Sequence, residues 1–126
     1  MKQFSIVLED KPGELARICD MLKAVNIRQI TTEKIDGGST KVKLLTADDN
    51  SVRSILKGKF DFSEEELLFI RMLDRPGELG KLAHAFSDKE INILDIYNVE
   101  RGVFAVKVND ADKGTAIEIV KALHRG

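Results

Sequence analysis

The sequence predicts an α+β protein in which one β-α-β-β-α-β unit is written twice, over residues 1–63 and 64–126, the second copy lacking its last strand. The first sign is a repeated hexapeptide: Asp10-Lys11-Pro12-Gly13-Glu14-Leu15 returns 64 residues later as Asp74-Arg75-Pro76-Gly77-Glu78-Leu79. The second is that the surroundings repeat as well. Phe4-Ser5-Ile6-Val7-Leu8 precedes the first copy and Leu68-Phe69-Ile70-Arg71-Met72 the second, and an apolar helical stripe follows each, ending at Val25-Asn26-Ile27 or Ile91-Asn92-Ile93. The chain's two prolines, Pro12 and Pro76, stand at equivalent places. Self-similarity at a fixed spacing takes precedence over any local reading of the pattern.

In the first copy, Phe4, Ile6 and Leu8 alternate with polar residues, the period of a half-buried strand. Pro12-Gly13 breaks it, and Leu15, Ile18, Cys19 and Leu22 then recur at helical spacing. Ile27 to Ile35 reads as a second strand, Asp36-Gly37-Gly38-Ser39 as a hairpin turn, and Val42 and Leu44 mark a third strand with one wet face. Asp48-Asp49-Asn50-Ser51 offers N-caps to a helix carrying Val52, Ile55 and Leu56, and Lys59 to Phe62 supplies a fourth strand. The second copy follows suit. Leu68, Ile70 and Met72 form a strand, and Leu79, Leu82, Ala83 and Phe86 a helical stripe. Ile93 to Val99, the turn Glu100-Arg101-Gly102 and Val103 to Val108 form a hairpin, and Ala116, Ile119, Val120 and Leu123 a last helix ending at the chain's final residues. This order places the helices on one face of an antiparallel sheet, the ferredoxin-like layout.

Composition excludes several classes of function. Net charge is −1, with 33% charged residues of both signs. Residues 1–63 carry eleven cationic and nine acidic groups, net +2, and residues 64–126 nine and twelve, net −3. Neither half has the clustered Lys and Arg of a nucleic-acid footprint, and no aromatic pattern on the strands suits base stacking. A single cysteine, Cys19, rules out an internal disulfide and an all-cysteine metal site; on the helical stripe it reads as a buried, inert thiol. No apolar run approaches the roughly 18 residues of a membrane span, and no signal-peptide pattern opens the chain. The expectation is a soluble, cytoplasmic protein with neither nucleic-acid nor membrane partner. His84 reads as a surface or boundary residue, His124 has no triad partner in sequence, and Glu64-Glu65-Glu66 reads as a solvated strand entry.

The repeated loop is the main candidate site. It joins a strand to a helix N-terminus, where free N–H groups and the helix dipole favour an anion such as a carboxylate. Gly13 and Gly77 allow close approach to the backbone, and Asp10 and Asp74 can accept from an ammonium group. Together these suit the two ends of an amino-acid zwitterion. The same residues are also ordinary helix-start signals, and Glu14 and Glu78 weigh against an anion unless they point away. Asn26 and Asn92 close the helix-to-strand corner in each copy, as C-caps or as amides for a ligand or a facing main chain.

A strand, Asp-x-Pro-Gly-x-Leu, an amphipathic helix and Val/Ile-Asn-Ile opening the next strand together resemble the ACT domain, a small regulatory fold that commonly binds amino acids. The resemblance covers nearly the whole chain as two tandem copies, similar to stand-alone tandem ACT proteins without a catalytic domain. It implies a ligand held between paired ACT domains by the loop and the Asn. Those positions are Asp10, Gly13, Leu15 and Asn26 in the first copy, and Asp74, Gly77, Leu79 and Asn92 in the second. From Leu to Asn the first copy has 11 residues and the second 13, so the corners differ and the second copy is the expected working site. The resemblance implies a non-catalytic regulatory module, without metal or cofactor, that binds a small amino acid at ACT–ACT interfaces and modulates a metabolic enzyme or an assembly. The alternative is a regulatory subunit acting mainly by contact with a biosynthetic enzyme. An acylphosphatase-like enzyme needs a catalytic Arg and Asn that neither loop supplies. With no fourth strand in the second copy, Leu67 to Leu73 is expected to present an open edge, which points to a homodimer.

Overall fold

Phe4, Ile6 and Leu8 send every second side chain of β1 (Lys2–Glu9) into the first core. The computed structural model, which describes residues 2–125, pairs β1 antiparallel with β3 (Ser39–Thr46) on one side and β4 (Asp61–Glu66) on the other. With β2 (Ile27–Asp36) outside β3, the sheet order is β2-β3-β1-β4. Helices α1 (Glu14–Met21) and α2 (Asp49–Leu56) bring Ile18, Leu22, Val52 and Leu56 onto the apolar face of the sheet. Each such side chain contributes roughly 1.5–3 kcal/mol by leaving water. Gly37-Gly38 makes the two-residue turn between β2 and β3, its Gly38 N–H donating to Asp36 Oδ1 at 2.8 Å. Asp48 caps α2, accepting from the Ser51 N–H at 3.1 Å.

The second unit repeats the plan with three strands. β5 (Leu68–Arg71), α3 (Glu78–Asp88), β6 (Asp95–Glu100) and β7 (Val103–Lys107) lead through a 3-10 turn at Asp110–Asp112 into α4 (Lys113–Arg125). The sheet order is β5-β7-β6, and its core is built from Ile70, Leu82, Phe86, Ile91, Val106, Val108 and Ala116. Among the described residues no fourth strand follows α4, and β7 is the one strand that pairs with β5.

Several details depart from the sequence pattern. β4 starts at Asp61 and runs through all three glutamates to Glu66, opposite Lys2. Glu64 and Glu65 stand in the strand because each finds partners there: Arg53 clasps Glu64, while Gln3 and Ser5 donate to Glu65. The two units therefore divide between Glu66 and Leu67, three residues beyond the division read from the sequence. β6 begins at Asp95, two residues later than expected. Leu15 and Leu79 are 43% and 47% exposed, because the core-facing stripe starts one turn later, at Ile18 and Leu82. Cys19 packs against the first core without being fully buried. His84 is exposed.

Candidate functional site

Both hexapeptide copies fold identically. Pro fixes φ at the second position of a four-residue turn, and Gly supplies the positive φ that the third position of a type II turn requires. Gly13 has φ 91° and ψ −17°, and Gly77 φ 87° and ψ −12°. The turns close through Glu14 N–H to Lys11 O and Glu78 N–H to Arg75 O, both 3.4 Å. Just before them a tighter bend centres on the aspartate, with Lys11 N–H bonded to Glu9 O and Arg75 N–H to Leu73 O at 3.0 Å. The helices begin with Arg17 N–H to Gly13 O (2.9 Å) and Lys81 N–H to Gly77 O (3.1 Å). Neither helix start has a side-chain cap. The N–H groups of Leu15 and Ala16, and of Leu79 and Gly80, thus belong to the helix positions that look outside the helix for an acceptor.

The charges around the loops are paired. Asp10 lies 3.3 Å from Lys34 Nζ on β2, and Asp74 2.9 Å from Arg101 Nε in the β6–β7 turn. An incoming ammonium group would have to exchange with those exposed cations, which costs little at the surface. Glu14 turns along the helix to Arg17 at 2.9 Å, and Glu78 to Arg75 at 2.6 Å and Lys81 at 3.3 Å. The hydrogen bond from Arg17 holds the Glu14 carboxyl below the usual carboxylate range, and the bond from Arg75 does the same for Glu78. Each glutamate is drawn to a neighbouring cation, which offsets its repulsion of an anion at the helix start.

The structure does not gather every sequence-predicted residue into one cavity. Asp10 and Leu15 line a pocket of about 240 Å³ with Leu8, Glu14, Lys34 and Val42. Asp74 lines a cavity of about 870 Å³ with Met72, Arg75, Glu78, Arg101 and the last turn of α4. Asn92, exposed, borders a different hollow of about 360 Å³ with Ala83, Ser87, Glu90 and Ile93. Asn26 is likewise exposed, at the mouth of β2. Neither Asn takes the left-handed conformation at its corner; in the second unit Glu90 does, with φ 58°, while its N–H bonds Ser87 O and the Ile91 N–H bonds Phe86 O. Gly13 and Gly77 shape the loops without lining these cavities. Sequence reasoning missed Lys34 and Arg101 as partners of the aspartates, and the part played by α4.

The tandem loops, the split β-α-β order and the shared core plan all describe one known module, and the sequence matches the ACT domain pair family over residues 1–125. The chain is an ACT domain pair. Its fold is shared with a protein from Bacteroides thetaiotaomicron at TM-score 0.84 and 22% identity, covering 98% of this chain and 88% of that one. The ligand-free regulatory subunit of aspartate kinase from Thermus thermophilus aligns at TM-score 0.67 and 14% identity, over 96% and 91% of the two chains. Aspartokinase III from E. coli, solved with aspartate and ADP, aligns at TM-score 0.55 and 16% identity, over 96% of this chain and 31% of that one. At these identities the likeness is one of ACT fold. No curated protein sequence gives a significant match. Among the described residues no helix is long and apolar enough to cross a membrane, and no group of His, Cys, Asp and Glu side chains is arranged to hold a metal ion.

Proposed function

We propose that this ACT domain pair is a regulatory module that binds a small amino acid at its Pro-Gly loops and modulates a metabolic enzyme. One observation carries the reading: the family match spans both copies, and in both the loop folds into the same uncapped helix start beside an aspartate. The free N–H groups suit the ligand's carboxylate, and the aspartate its ammonium group. The likeness in fold to an aspartate kinase regulatory subunit, and to an aspartokinase solved with aspartate, supports an amino acid as ligand and a biosynthetic enzyme as partner.

In this reading the second copy is the working site, since its corner from Leu79 to Asn92 is two residues longer than that from Leu15 to Asn26 and sets its amide differently against the loop. The module works as a homodimer, in which a facing ACT unit covers Leu15 and Leu79, apolar, exposed and at equivalent places beside the loops. Ligand binding then shifts the assembly between states. A thermal-shift panel over the common amino acids tests it: one of them at about 100 times its Kd should add roughly 2.7 kcal/mol of stability. A flat panel together with a co-purifying enzyme supports the alternative, a subunit acting by contact alone.

A further inference from the structure

The two units follow one plan, so each shows what the other lacks. In the first, the edge of β1 is covered by β4. Phe62 of that strand and Phe60 just before it pack on the first core, and the Arg17 guanidinium sits 4.7 Å from the centre of the Phe60 ring. In the second, the cavity of about 870 Å³ lies along the equivalent edge. Ile70, Met72 and Leu82 line it where Ile6, Leu8 and Ile18 stand in the first unit, and Lys81 takes the place of Arg17. α4 has 13 residues against 8 in α2 and runs on where the first unit turns back into β4, so Leu123 and His124 border the cavity.

The backbone of β5 carries the same message. The Met72 N–H donates to Gly102 O at 2.7 Å, so by the alternation of an antiparallel ladder the Arg71 carbonyl faces away from β7. Its counterpart, Val7, stands opposite Asp61 of β4. In the second unit His124 Nε2 donates to the Arg71 carbonyl at 2.7 Å, a single imidazole where the first unit has a strand.

Charge then narrows the occupant. The segment that fills this seat in the first unit reads Phe60-Asp61-Phe62-Ser63-Glu64, two phenylalanines either side of an aspartate and then polar and acidic residues. The cavity in the second unit is bordered by Arg71, Arg75, Lys81 and Arg101, and although Glu78 pairs with Arg75 and Lys81 and Asp74 with Arg101, the rim keeps an excess of two positive charges. A second copy of the same edge would bring these cations together, whereas an acidic segment meets them with opposite charge. We propose that the open edge of the second unit is a docking groove for an extended segment of a partner protein, with aromatic or aliphatic residues alternating with acidic ones. The segment adds beside β5 as a fourth strand, sets its apolar side chains in the cavity and its carboxylates on the cationic rim.

The probe is a fluorescent octapeptide with the sequence of residues 59–66, Lys-Phe-Asp-Phe-Ser-Glu-Glu-Glu, titrated against the full chain by anisotropy and by amide chemical-shift mapping. The proposal expects saturable binding, with shifts at Phe69, Arg71, Leu73, Leu123 and His124. A peptide carrying Phe60→Ser and Phe62→Ser should bind at least about tenfold more weakly, since each buried phenyl ring is worth that much. Arg71→Glu and Lys81→Glu, both at exposed positions and checked for native circular dichroism, should weaken the parent peptide, and His124→Ala, which frees the edge carbonyl, should tighten it. No saturation below about 1 mM, indifference to the charge reversals, or shifts confined to β1 or to Asn92 would overturn it.

Discussion

Three glycines of the second unit are predicted to respond to alanine in three different ways. Gly77 sits at φ 87° with nothing within 4 Å of an added Cβ, so Gly77→Ala meets only the backbone cost of the left-handed region, about 1–2 kcal/mol. Gly80 lies three residues on, inside α3, also with open space around it, and its counterpart in the first unit is already an alanine, Ala16. Gly80→Ala should therefore stabilise, by about 0.5–1 kcal/mol. Gly102 combines φ 78° with a Cβ position 3.1 Å from the backbone carbonyl oxygen of Met72, a residue whose N–H is bonded to Gly102 O. Gly102→Ala should cost more than Gly77→Ala. Urea denaturation at 25 °C reads all three as shifts in midpoint at constant slope, and melting moves about 4–8 °C for each kcal/mol in domains of about 60–100 residues. If Gly77→Ala were as stable as the parent, or Gly80→Ala less stable than Gly77→Ala, the type II turn at the heart of the site would be wrong.

The remaining predictions concern assembly, acid and core. Light scattering at micromolar concentration should give a mass near twice 14.1 kDa, and a value near 14.1 kDa would remove the homodimer. Glu64 is held below the usual carboxylate value by its hydrogen bonds from Arg53, so the pair stabilises above about pH 4.3 and is lost as pH falls through the lowered value. Glu64→Gln should lower the urea midpoint at pH 7 and narrow the gap between pH 7 and pH 3; an unchanged gap would refute the assignment. Phe86→Ala, at a fully buried position of the second core, should cost about 3–5 kcal/mol, and a loss below 1 kcal/mol measured by the same denaturation would show that the core is not as described.

The elements were legible because their signals are local. Phe4, Ile6 and Leu8 alternate, Ile18 and Leu22 recur at helical spacing, and Gly37-Gly38 and Arg101-Gly102 can hardly be anything but tight turns. The end of β4 was not legible, since Glu64-Glu65-Glu66 looks solvated until Arg53, Gln3 and Ser5 are folded against it. Leu15 and Leu79 fit the helical period, yet only the fold shows that the first turn of each helix stands clear of the core. At the site, the turn geometry follows from Pro-Gly alone. The partner of Asp74 does not, because Arg101 lies 27 residues away and meets it only through the β6–β7 hairpin. His124 had no visible partner because its partner is a backbone carbonyl, and backbone leaves no mark in sequence.

Calorimetric titration of the parent chain, Asn92→Ala and Asn26→Ala with each common amino acid tests the central claim most directly. In the proposed function Asn92 completes the second site, although it borders a hollow apart from Asp74, and its corner is two residues longer than that of Asn26. The account predicts saturable heat with one amino acid, abolished by Asn92→Ala and little changed by Asn26→Ala. No saturable heat with any amino acid at millimolar concentration would contradict it, as would binding that survives Asn92→Ala intact.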